Sequence, residues 1–184
     1  MRYSLIAPLL MLLSCVTIPT RQETLSLPIL DTKHLPCCWQ AQEYLEIDLQ
    51  GHQFRLSSAI AVTDHSLTVV VLDSLGRRLL TVTQMGNTIS VDKSEGVPNA
   101  LPTDWLLLAI YLRHMPINLW SLATPEWQVD EVDGSRLLTL QGREMIRMRT
   151  KNEKYEGDER DVSNLNFPHL QMKMKITRLS RQPI

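Results

Sequence analysis

"LTVVVLDSLGRRLLTVTQMGN", residues 67–87, is the stretch whose reading decides the fold. Leu67 to Leu72 is a short run of Leu, Val and Thr, and branched side chains of this kind favour a pleated strand. Asp73-Ser74-Leu75-Gly76 has turn chemistry, with Asp early and Gly late. Arg78 to Gln84 returns as a second strand, and Met85-Gly86-Asn87 turns again before Thr88 to Val91. Short strands joined by tight turns imply an antiparallel meander. Because the first run is apolar on both faces, it is expected to be covered on both sides.

The pattern continues outward in both directions. Leu45, Ile47 and Leu49 alternate with Glu46, Asp48 and Gln50, the signature of a half-buried strand. Gly51-His52 reads as a turn, and Phe54-Arg55-Leu56 opens the next strand. Beyond residue 120, strands are expected near Trp127-Gln128-Val129, from Arg136 to Gln141 and from Arg143 to Thr150, with Gln141-Gly142 as a turn. Leu170, Met172, Met174 and Ile176 share one face of a closing strand, while Gln171, Lys173 and Lys175 share the other. Lys151 to Asn164 holds eight charged residues in fourteen and reads as a solvated loop.

One helix interrupts the strands. Thr103 is placed to cap it after Pro102, Asp104 suits its positive N-terminal end, and Arg113 and His114 suit its C-terminal end before Pro116. The segment between, Trp105 to Leu112, is apolar nearly all round, so the helix is expected to be enclosed. The fold class implied is mainly β with α, an α+β arrangement in which a helix lies across the concave side of a strongly curved antiparallel sheet.

The N-terminus has its own logic. Met1-Arg2 supplies a positive charge, Tyr3 to Leu13 supply a short apolar run, and Ser14 is small. This is the layout of a secretory signal, and the run falls short of the roughly 20 apolar residues a spanning helix needs. Leu12-Leu13-Ser14-Cys15 resembles the bacterial lipobox. The resemblance implies cleavage between Ser14 and Cys15 and acylation of Cys15, including palmitate, giving a lipoprotein of the cell envelope. Several acyl chains make a stable anchor where one does not. Val16 after the cysteine, by analogy with envelope sorting, favours the outer membrane and its periplasmic face. The organisation expected is a signal peptide over 1–14, a lipidated and flexible tether over 15–36, and a single domain over 37–184.

Bulk chemistry excludes more than it identifies. A formal net charge of −1 gives no ground for nucleic-acid binding. Cys37 and Cys38 read as free or differently paired thiols, since neighbouring cysteines sit too close for an ordinary disulfide. His34-x-x-Cys37-Cys38 lacks the spacing of a zinc site. The sequence has no G-x-S-x-G, P-loop or H-E-x-x-H motif. Glu43, Glu46 and Asp48 are assigned to the exposed side of the first strand, as a solvated face. Neither a catalytic residue, a metal nor a cofactor is expected.

Together these pieces resemble a family of small bacterial lipoproteins associated with aryl-polyene pigment clusters, distantly similar to the lipoprotein carrier and receptor LolA and LolB. Gly76, Arg78, Leu79, Leu80 and Gly86 carry the resemblance, with the apolar helix ending at Pro116, Trp120, the strand opening Arg136-Leu137-Leu138, and the final alternating strand. It implies an open half-barrel enclosing an apolar cavity. The lining expected is Val69, Val71, Leu80 and Val82 from the quoted strands, Leu108 and Leu112 from the helix, and Met172, Met174 and Ile176 from the last strand. The flexible thioethers would adapt to acyl chains, or would simply fill a core. Arg77 and Arg78 would contact anionic head groups, or would pair with Asp73 in the hairpin. The function implied is to bind an apolar cargo, whether lipid, lipoprotein acyl chains or an aryl-polyene lipid, and aid its placement, with a periplasmic carrier protein as partner. A cofactor-free pigment-pathway enzyme on the same scaffold and a structural accessory docking an envelope protein are the alternatives.

Overall fold

The computed structural model describes residues 28–95, 97, 101–122, 126–155 and 158–184. The signal peptide, Ser14, Cys15 and the tether as far as residue 27 lie outside the described residues.

Ten strands form one antiparallel sheet: β1 (Trp39–Leu49), β2 (His52–Val62), β3 (Ser66–Leu72), β4 (Arg78–Met85), β5 (Thr88–Lys93), β6 (Trp127–Val132), β7 (Ser135–Leu140), β8 (Arg143–Tyr155), β9 (Asp158–Phe167) and β10 (Met172–Pro183). Their order across the sheet is β5-β4-β3-β2-β1-β10-β9-β8-β7-β6. The chain therefore starts in the middle, meanders out to one edge, crosses to the far edge, and meanders back. β1 and β10 close the design at the centre, pairing from Trp39↔Pro183 to Leu49↔Met172. The crossing carries the single α-helix among the described residues, α1 (Thr103–His114).

The helix shows that the sheet curls. The Tyr111 hydroxyl donates to Gln84 Oε1 on β4, while Arg136 Nη1 on β7 donates to the Leu112 carbonyl at 2.9 Å. β4 and β7 stand seven strand steps apart, about 34 Å in a flat sheet at the usual spacing. Adjacent residues of one helix, each reached by a single side chain, cannot bridge that span unless the sheet wraps around the helix.

Packing follows from the same arrangement. In α1, Thr103 and every residue from Leu106 to His114 are buried. Leu106 to Leu112 join the inward residues of the strands in one hydrophobic cluster. The expected helix is present and enclosed.

Several sequence expectations change. The charged run 151–164 is mostly strand, the outer reach of β8 and β9, because cross-strand pairs such as Glu153↔Arg160 bring opposite charges together. On β3 only Leu67, Val69 and Val71 are buried, while Thr68, Val70 and Leu72 are half-buried, since nothing among the described residues layers that outer face. Thr103 is the first helical residue rather than the cap. Pro102 holds the cap position without a side-chain bond, and the Thr103 hydroxyl is buried with no partner. The turn after β1 is Gln50-Gly51, both at positive φ, as a two-residue hairpin demands.

The N-terminal segment is corrected too. Residues 28–36 pack on the domain rather than belonging to a tether. Leu30, Thr32 and Leu35 are buried, and Thr32 accepts from the Gly86 amide at 2.8 Å and donates to the His65 carbonyl at 3.0 Å. Gln84 Nε2 donates to the Leu30 and Gly86 carbonyls. Thus a single buried glutamine ties the N-terminal segment, β4 and α1 together. Cys37 and Cys38 are joined as a vicinal disulfide rather than left as separate thiols; the peptide between them is cis, which brings their Cα atoms to 3.1 Å.

Arg136 also donates to the Met115 carbonyl at 2.9 Å, so it caps the C-terminal end of α1 with a positive charge. Arg136→Ala should cost about 1.5–3 kcal/mol, the scale of hydrogen bonds to a charged group, read from the urea midpoint. Arg143→Ala, at an exposed position of β8, should stay within about 0.5 kcal/mol.

Candidate functional site

Alternation along β1 sets the site. Leu45 and Ile47 face the helix, and counting back by twos brings Glu43, Ala41 and Trp39 to the same side. Glu43 stands where the β1–β10 register shifts, opposite Arg178. The last turn of α1 points Arg113 and His114 at it.

The result is a buried ionic network. Arg113 Nε donates to Glu43 Oε1 at 2.8 Å, and His114 Nε2 lies 3.0 Å from the same oxygen. Glu43 and His114 have no exposed side-chain surface and Arg113 only 2 %. The other guanidinium nitrogens of Arg113 reach β9, where Nη1 donates to Ser163 Oγ and Nη2 to the carbonyl and Oδ1 of Asp161, each at 3.2 Å. Asp161 Oδ2 pairs with Arg178 of β10 at 2.8 Å. His114 packs on Trp39 at 4.7 Å between ring centroids, and the Arg181 guanidinium covers the same indole at 4.3 Å. The indole Nε1 donates to the Pro36 carbonyl at 2.8 Å.

The charges are decided by neighbours. Burial pushes the Glu43 carboxyl up, but the His114 hydrogen bond and charge, with the charge and hydrogen bond of Arg113, outweigh it and hold the group below its ordinary value. Burial pushes His114 down; its bond and attraction to Glu43 oppose that, and the Arg113 and Arg178 charges add to it, leaving the imidazole below its ordinary value. At neutral pH the site is a carboxylate held by a guanidinium and a neutral imidazole. Glu43 Oε2 and His114 Nδ1 are buried without partners. Burial alone pushes the Tyr111 phenol up, keeping it a donor to Gln84.

A family model described as "Protein of unknown function (DUF3261)" matches residues 40–180. The chain belongs to this family. The match takes in Glu43, Arg113, His114, Asp161, Ser163 and Arg178, so the whole ion network of this DUF3261 domain falls inside it. No curated protein matches the chain.

The sequence-assigned residues fall in three places. Val69, Val71, Leu80, Val82, Leu108, Leu112, Met172, Met174 and Ile176 are all buried in the core cluster, where the structure does bring them together. A cavity of about 670 Å³ is lined by Met174 but by none of the other eight. Arg77 is an exposed hairpin residue bound to Asp73, with Nε donating at 2.7 Å, and Arg78 pairs with Asp92. Ser14 and Cys15 are outside the described residues.

Glu43 corrects the reading of β1. Glu46 is half-buried and Asp48 exposed on the outer face, but Glu43 has the opposite parity and points inward. The signal was present, since 43 shares the odd numbering of Leu45 and Ile47. Arg113 and His114 were visible only as helix-end charges, and Asp161, Ser163 and Arg178 carried no distinguishing pattern. Among the described residues, no group of three or more His, Cys, Asp or Glu could hold a metal.

Removing one partner of a buried ion pair leaves the other uncompensated, so Glu43→Ala should cost about 3–5 kcal/mol in urea unfolding. The double substitution Glu43→Leu/Arg113→Leu should cost clearly less than the sum of its singles. Acid should act in the same direction. Below pH 6.5, the ordinary value for His114, the unfolded chain takes up a proton that the folded one resists; below 4.5, the ordinary value for Glu43, that carboxyl adds a second such proton. Stability should therefore be full above about pH 7 and fall as pH drops through both ranges, with Glu43→Gln flattening the lower part of the profile.

Proposed function

We propose that this chain is an outer-membrane lipoprotein, held by acyl chains on Cys15, whose sheet is an open half-barrel of the LolA and LolB kind that takes up an apolar cargo. The cargo class is a lipid, the acyl chains of a lipoprotein or an aryl-polyene lipid, handed over by a periplasmic carrier. The observation that carries this reading is a helix apolar nearly all round, enclosed by a wrapping sheet and walled by buried Met115, Met145, Met148, Met172 and Met174. Thioethers repack around flexible chains more readily than branched side chains do. The helix is also held unevenly. Its C-terminal turn carries Tyr111, Arg113, His114 and the carbonyls bound by Arg136, whereas its first turn lacks a side-chain cap. Cargo would enter beside that first turn, displacing Leu106 and Leu107 while the ionic end stays fixed.

A second reading is a cofactor-free enzyme on the same scaffold. The Glu43–His114 pair favours it, as a carboxylate orienting a neutral imidazole. Four cavities among the described residues, the 670 Å³ one included, are lined by neither side chain. Diethyl pyrocarbonate should leave His114 unmodified in the folded protein; modification as fast as that of exposed His52 would turn the balance toward the enzyme.

The anchor and the cargo are tested separately. Labelled palmitate should appear on the chain in growing cells and vanish entirely with Cys15→Ala. The Cys15→Ala protein, extracted with organic solvent, should release lipid detectable by mass spectrometry, and the emptied protein should bind an apolar dye. A protein that is clean on extraction and blind to the dye would sink the cargo reading while leaving the anchor untouched.

A further inference from the structure

The 670 Å³ hollow is lined by polar and charged side chains together with Ile47, Phe54, Leu165 and Met174. It opens on the face of the sheet turned away from α1, over the middle strands, and the strand register explains what lines it. One row of directly opposed residues runs Arg55, Glu46, Lys175, Asn164, Arg149 from β2 to β8. A parallel row runs Gln53, Asp48, Lys173, Asn166, Arg147. Each crosses five strands, about 19 Å at the usual spacing.

The charges in these rows are not balanced by each other. Lys175 pairs with Glu153 at 3.3 Å and Arg147 with Glu144 at 2.6 Å. Among the described residues, the side chains of Arg55 and Lys173 have no ion-pair or hydrogen-bond partner. Arg149 meets only neutral acceptors, the Ser135 hydroxyl at 3.4 Å and the Asp133 carbonyl at 3.3 Å. Three cationic heads thus make no ion pair, although Glu46 stands opposite Arg55, Asp48 opposite Lys173 and Asp133 lines the same hollow, and the amides of Gln53, Asn164 and Asn166 stand among them.

We infer that this hollow binds an acidic saccharide, a short chain of hydroxylated rings carrying phosphate or carboxylate groups. Guanidinium forks match both of those oxyanions. Each side-chain amide offers a donor and an acceptor together, which suits sugar hydroxyls rather than a bare anion. A peptide is the poorer fit. The hollow lies over central strands whose backbone groups are already paired, so a peptide cannot dock there by adding a strand. The inference is independent of the apolar-cargo reading, because it concerns the opposite face.

The full chain in non-ionic detergent is titrated calorimetrically with four probes: a galacturonate tetramer, a glucosamine disaccharide diphosphate, a neutral galactose tetramer and oligoglutamate. At least one acidic saccharide should bind, with the neutral tetramer and oligoglutamate at least tenfold weaker. Whichever acidic probe wins tells whether phosphate or carboxylate is the group recognised. Raising salt from about 50 to 200 mM should weaken binding, as screening requires. The triple variant Arg55→Gln/Lys173→Gln/Arg149→Gln should lose at least tenfold, while Asp48→Asn, which removes the acid opposite Lys173, should bind more tightly. The inference fails if no acidic saccharide binds at millimolar concentration, or if the neutral tetramer or oligoglutamate binds as well. It also fails if the triple variant, folded by circular dichroism, binds unchanged. Should that variant not fold, Asp48→Asn decides alone: unchanged or weaker affinity overturns the inference.

Discussion

A carboxylate with no exposed surface, gripped by a guanidinium from the last turn of the helix, holds the two halves of this molecule in place. Glu43 lies on β1, at the seam where the first and last strands meet, and Arg113 belongs to the crossing that joins the two edges. One ion pair therefore links the centre of the sheet to the connection between its margins. An apolar pair of the same volume could be as stable, because burying two charges costs several kcal/mol that their attraction only partly offsets. What it could not do is choose one register. A greasy helix in a greasy trough can slide by a turn with little penalty, whereas the Arg113 fork meets its acceptors on β1 and β9 in a single place. Specificity is the stronger reason for the network.

The curl of the sheet follows from the same constraint. The helix turn that carries Arg113 also places Tyr111 against Gln84 of β4 and offers the Leu112 carbonyl to Arg136 of β7. Three polar attachments, one central and two far out on opposite flanks, draw both wings of the sheet toward one turn of helix. Gln84 extends the chain of bonds to the Leu30 carbonyl, so residues 28–36 dock where the β4 wing folds inward. Polar groups that would be costly alone are satisfied as a set.

Much of the fold was readable because it rests on period two. The closing strand, the quoted meander and the turns at Gly76, Gly86 and Gly142 come directly from alternation and turn chemistry. The enclosed helix follows from its composition. What failed did so for physical reasons. The charges of 151–164 read locally as a solvated loop, yet opposed strands can satisfy charges across the ladder as well as solvent can. Residues 28–36 look like a linker because two of their four buried residues, Pro28 and Thr32, are types common in loops, which masks the apolar Leu30 and Leu35. The ionic site needed two facts at once, the parity of Glu43 and the direction of a helix end; only the first was in the local sequence. Asp161 and Ser163 lie 48 and 50 residues along the chain from Arg113, and no local pattern announces them.

The acids of β1 show how little separates structure from recognition here. Glu43 and Glu46 are three residues apart, identical in chemistry, and opposite in parity. Turned inward, the first meets a helix and becomes a fixed anion with a depressed pKa. Turned outward, the second becomes one place in a row whose other places are Arg55, Lys175, Asn164 and Arg149. A one-residue slip of β1 would exchange them, burying Glu46 and Asp48 while wetting Leu45 and Ile47. The β1–β2 ladder runs unshifted from Trp39↔Val62 to Leu49↔His52, with the tight Gln50-Gly51 turn setting its register. That turn therefore fixes, at one stroke, which face of the sheet is apolar and able to hold a helix or a cargo, and which is charged and able to meet a polar ligand.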